Sequence, residues 1–191
     1  MARLPEHSPR PRAGDEIARA SKALTPIRFT PVAAFVAASI VLVGHVVFHY
    51  SDLPQTLAAH FDWRGRANGF ASREAFLLMN IGVVAFFALL FWGVGHMQKL
   101  SPRFVNLPHK DYWLSPERRE ASMAFVVDWT RWLFALVTLL NVLVMGSVLH
   151  ANLKIPVEIG DWPLYETGAF LVVLAGMIVW LLRRFPRPPA Q

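Results

Sequence analysis

His45 and His49 stand four residues apart in an uncharged apolar run, so a helix there puts both imidazoles on one face. His150 closes another apolar run, and His60 lies in the polar stretch that follows the first. Neutral imidazole is a common metal ligand, so His45, His49, His60 and His150 are the side chains a metal or haem would use. No HExxH or histidine-plus-carboxylate spacing accompanies them. The ordinary work of a histidine in a membrane helix is an interhelical hydrogen bond, which Asn80 and Asn141 are also expected to make. That is the expectation, with a haem- or metal-dependent redox protein as the alternative and no resident cofactor otherwise. The chain has no cysteine, which excludes disulfides, thiolate metal sites and cysteine nucleophiles. Walker, dinucleotide and kinase glycine patterns are missing, as is a serine nucleophile elbow, so the sequence points away from an enzyme.

Two loops carry more specification than a connector needs. The stretch from Ser51 to Ser72 mixes Leu53, Leu57, Phe61, Trp63 and Phe70 with turn formers. Pro54, His60, Asp62, Gly65, Arg66, Asn68 and Gly69 are its candidate ligand- or partner-binding residues, because loops host binding groups on a rigid scaffold. Asn68-Gly69 is a tight-turn signal. A strand around Ala59 to Trp63, a turn and a return through Phe70 would place His60 and Asp62 on one face. The second loop, Ser101 to Arg119, holds Asn106, Pro108, Lys110, Asp111, Tyr112 and Trp113, which read as an interfacial anchor or a docking site. Ser115-Pro116-Glu117 reads as a helix start: cap, proline at the first position, and acid in the first turn.

The elements that position these loops are membrane spans. Of the 191 residues, 54% are hydrophobic and 17% charged, against about 45–50% and about 25% in ordinary globular chains. Four segments reach the length of about 20 apolar residues that a bilayer core requires: 31–50, 75–96, 132–150 and 164–182. The third is preceded by enough helical sequence that it either projects beyond the membrane or breaks near Val127, with Asp128 and Arg131 spaced to pair. Fifteen of the 19 Lys and Arg residues fall in the two tails and the Lys99–Arg131 region. The positive-inside rule therefore puts both termini in the cytoplasm and the Ser51–Ser72 loop outside. The same distribution explains a net charge of +6 without nucleic acid, since cationic residues sit beside an anionic lipid face. The expected architecture is all-α: an integral four-helix bundle over 31–182, N-in and C-in, with an ordered extracytoplasmic loop between helices 1 and 2. A largely disordered tail, 1–30, and a short tail, 183–191, flank it.

The run Leu53-Pro54, His60-Phe61-Asp62, Gly65 and Asn68-Gly69 after a first span resembles a short uncharacterised domain. It is shared by bacterial membrane proteins related to the sporulation-delaying-toxin immunity protein. Asn106-Leu-Pro-His-Lys-Asp-Tyr-Trp-Leu114 is similar to the cytoplasmic segment of four-span relatives in that group. The resemblance implies a multi-pass inner-membrane protein engaged in sensing, protection or partner binding through these two loops. Its partners would be the lipid bilayer, a protein or peptide at the outer loop, and a second copy of the chain.

Overall fold

The computed structural model describes residues 30–94, 96 and 105–188. The expectation for the 1–30 tail falls, Thr30 apart, outside the described residues. Five helices and one hairpin make up the rest: α1 (Pro31–Phe48), β1 (Thr56–Phe61), β2 (Ala67–Ser72), α2 (Arg73–Val94), α3 (Lys110–Trp113), α4 (Arg119–Asn152) and α5 (Trp162–Arg184). Local chemistry sets several boundaries. Pro31 opens α1, where a missing N–H leaves no hydrogen bond unmade. The Ser72 hydroxyl oxygen accepts the Ala75 N–H at 3.1 Å and caps α2. α5 opens on Trp162-Pro163 after Asp161.

The helices α1, α2, α4 and α5 are each long and apolar enough to cross a membrane. Their packing says what surrounds them. The apolar stretch of α5 buries none of its residues in protein, and that of α2 only 17%. In water such surface costs about 25 cal/mol per Å², so lipid is the solvent that makes this structure stable. α4 is the central element, with α1, α2 and α5 all laid against it.

Three apolar clusters tie the elements together. At the hairpin end, Val46, Leu53, Leu57, Phe76 and Leu149 converge from α1, the hairpin, α2 and α4. Phe35, Phe91 and Ala135 join α1, α2 and α4 farther along, with the Phe35 and Phe91 rings stacked at 4.6 Å. At the opposite end, Leu107, Leu114, Met123, Val126 and Phe185 join the residues before α4 to the end of α5.

Several expectations change. The molecule is mostly helical rather than all-α, because β1 and β2 form an antiparallel two-stranded sheet. α4 runs unbroken for 34 residues, about 51 Å at about 1.5 Å per residue, so it projects beyond a core of about 30 Å. It begins at Arg119 and not at Pro116, since Ser115 makes a turn instead: its carbonyl accepts the N–H groups of Arg118 and Arg119. Arg131 does not pair with Asp128; its guanidinium lies 5.6 Å from the centre of the Phe91 ring. Asn80 and Asn141 donate to Phe76 and Val137, one turn back in their own helices, and so do not bridge helices.

Candidate functional site

The hairpin is built by a few polar side chains. Asp62 ends β1 and holds the turn: its Oδ1 accepts the N–H groups of Arg64 at 2.8 Å and Arg66 at 3.0 Å. Its own N–H donates to the Arg66 carbonyl at 2.8 Å. Gly65 completes the turn at φ 75°, a left-handed conformation that a side chain strains. Asn68-Gly69 is therefore not the turn but part of β2. Gly69 is needed for space instead. It faces His60 across the sheet, and a Cβ at Gly69 would lie 2.8 Å from that of His60. The His60 ring bonds Asn68 Oδ1. Pro54 is exposed on the approach to β1.

Asn152, at the end of α4, fixes the hairpin to the helices. Its Oδ1 accepts the Ala58 N–H and its Nδ2 donates to the Ala58 carbonyl, both at 2.8 Å. One amide thus satisfies both main-chain groups of a buried strand residue, which leaves no orphan beneath the sheet. Arg73 secures the other side, donating to the Tyr50 carbonyl at 3.3 Å while its guanidinium stacks 4.6 Å from the Tyr50 ring centre. The Tyr50 hydroxyl donates to Glu74 at 3.2 Å.

The turn also touches the segment that links α4 to α5. The Ile159 N–H donates to the Gly65 carbonyl at 3.1 Å, and Glu158 bridges Arg66 in antiparallel fashion. Beside that segment lies a cavity of about 550 Å³, bounded by α1, α4, α5 and the link. His45 comes from α1; Ser147 and His150 from α4; Lys154, Glu158 and Gly160 from the link; Trp162 and Glu166 from α5. Ser147 donates to Glu166 Oε1 at 3.1 Å, whereas Glu166 Oε2 is buried and makes no hydrogen bond. A second, apolar space of about 120 Å³ runs between α4 and α5, with Glu166 and Leu143 on the walls of both. A half-open cleft that carries both signs of charge and adjoins an apolar slot at Glu166 and Leu143 is suited to binding.

Of the four histidines, the structure sets only His60 apart. His45 and His150 line the cavity. The His49 ring lies 5.1 Å from that of His45, and its Nδ1 is 3.8 Å from Asp52. His60 belongs to the sheet. Among the described residues, no group of three or more His, Asp or Glu side chains is placed to hold a metal ion.

At the opposite end the second loop binds its own chain. The Trp113 indole N–H donates to the Pro186 carbonyl at 3.1 Å, and its ring stands edge-on to Phe185 at 5.5 Å. Phe185 is 2% exposed. Tyr112 carries the Arg118 guanidinium 4.2 Å from its ring centre. Ser115 donates to Glu117 at 2.8 Å; that bond first, then the Glu117 backbone and the Arg118 charge, hold this carboxyl below its ordinary range. Asn106, Lys110 and Asp111 are exposed, and Pro108 is half-buried.

Sequence reasoning missed Asn152, Lys154, Glu158 and Phe185. The only signal for Asn152 was a polar residue near a span end.

Residues 35–84, from α1 through the hairpin into α2, match the model of a family described as a domain of unknown function (DUF1648). No curated protein and no solved structure matches the chain.

Proposed function

We propose that this integral membrane protein of unknown activity works as a binding and sensing device at its hairpin end. Both termini lie in the cytoplasm, the hairpin and cavity face outward, and the membrane is a bacterial inner membrane. The charge asymmetry of the sequence supports this orientation. Exposed Phe48, Trp63, Phe70 and Ile155 around the hairpin end offer an apolar rim for a protein or peptide partner.

The observation that carries the reading is the main-chain contact between Gly65 in the hairpin turn and Ile159 on the cavity wall. Whatever moves the hairpin must then move the link. A partner at Asp62, Arg66 or Asn68 and an occupant of the cavity would sense one another through that contact, as reciprocal coupling requires.

The absence of cysteine makes the test clean. Ala151 is on the cavity wall and only 2% exposed, so the labelling rate of a thiol introduced by Ala151→Cys reports on how far that wall opens. Combining it with Gly65→Val, which strains the turn, should change its rate of maleimide labelling at least threefold. Trp63→Ala, at an 83% exposed position, should leave that rate unchanged. Equal rates in all three backgrounds would remove the coupling on which the proposal stands.

A further inference from the structure

We infer that the cavity and the slot together accept a single-chain cationic amphiphile, with its ammonium group at Glu166 and its alkyl chain between α4 and α5. This deepens the proposed reading, because it needs the cavity to be a binding site and adds the class of ligand.

Three observations converge. The first is charge. The lining holds two carboxylates, Glu158 and Glu166, against one lysine, Lys154. The second is orientation. Ser147 occupies Glu166 Oε1 and leaves Oε2 buried with no hydrogen bond. A carboxylate oxygen in that condition is expensive near hydrocarbon and gains most from a cation that brings its own donors. An alkylammonium does so with three N–H groups.

The third is the slot. It is almost wholly apolar, is walled by Leu140, Leu143, Phe170 and Val173, and begins at the same Glu166. The carboxylate therefore sits where a head group joins its chain. That placement favours a cation attached directly to an alkyl chain over a phospholipid, whose phosphate would lie nearest the chain and meet Glu166 with like charge. α5 packs chiefly on α4 and buries no residue of its apolar stretch, so the slot is reached from the surrounding lipid.

The test uses the full chain in lipid nanodiscs with dodecylammonium, dodecyl sulfate and dodecanol as probes, read by intrinsic tryptophan fluorescence, to which Trp162 on the cavity wall contributes. Dodecylammonium should bind saturably and at least tenfold more tightly than either other probe. Glu166→Gln should remove that preference, whereas Glu158→Gln should weaken binding no more than threefold. Val173→Phe, which fills the slot and leaves the carboxylate in place, should weaken binding as much as Glu166→Gln does. Comparable binding of cationic and anionic probes, or wild-type binding by Glu166→Gln, overturns the inference. If the Ala151→Cys coupling holds while dodecylammonium fails to bind, the sensing reading stands and only the ligand class falls.

Discussion

Single residues decide whether the hairpin is a structured platform or a loose connector. Asn152 is the clearest case, since one side chain satisfies both polar groups of Ala58. Asn152→Leu leaves a buried donor and acceptor unpaired, at about 1–3 kcal/mol for each. Trypsin should then cut after Arg64 or Arg66 at least tenfold faster, measured on protein in detergent. Gly65 and Gly69 fail for different reasons: Gly65→Ala strains a left-handed φ, whereas Gly69→Ala collides with His60. A double change, Gly69→Ala with His60→Ala, should recover most of the protease resistance lost by Gly69→Ala alone, while His60→Ala does nothing for Gly65→Ala. The presence of turn chemistry in this loop was legible from its glycines, whereas Asp62 read as a strand residue beside His60. The location of the turn was not legible, because Asn68-Gly69 has the composition of a turn but is used for the room it leaves His60. Asn152 was illegible for a plainer reason. Its partner is 94 residues away, and nothing local distinguishes a tether from a helix end.

Elements explain the other end of the molecule. Before α4, Trp113 of α3 closes over Phe185, so a loop that reads as a docking site spends this aromatic residue holding the carboxy-terminal segment. Trp113→Ala should free that segment, and tryptic cleavage between Arg184 and Phe185 should rise about tenfold, read as loss of a carboxy-terminal tag. Trp113→Phe keeps the edge-on contact without the indole donor and should lie between. In the same turn, Glu117 is held below its ordinary range by Ser115, its backbone and Arg118. A depressed carboxyl stabilises the turn fully above the ordinary glutamate range, and that contribution fades as pH falls through the lowered value. A carbon NMR titration should show the Glu117 midpoint below that of an unfolded peptide, and Ser115→Ala should move it back up. The sequence left open whether α4 projects or breaks near Val127, and the helix runs through unbroken. Its exact start was not foreseeable, because Ser115-Pro116 suits a turn as well as it suits a cap.

At the scale of the whole molecule, four apolar helices surround little protein core, and α5 has almost none. Lipid takes the place of the missing core. That much followed from composition and span length, and the proposed orientation rests on the charge asymmetry. The cavity did not follow, because it is assembled from α1, α4, α5 and a link whose residues look unremarkable in isolation. Impermeant maleimide labelling of intact cells tests the arrangement directly. With Trp63→Cys, the thiol should label fully from outside. With Ser8→Cys or Ala190→Cys it should label only after lysis, and the protein should stay with the membrane through an alkaline wash. A tail thiol that labels in intact cells, or a chain released by the wash, would contradict the account.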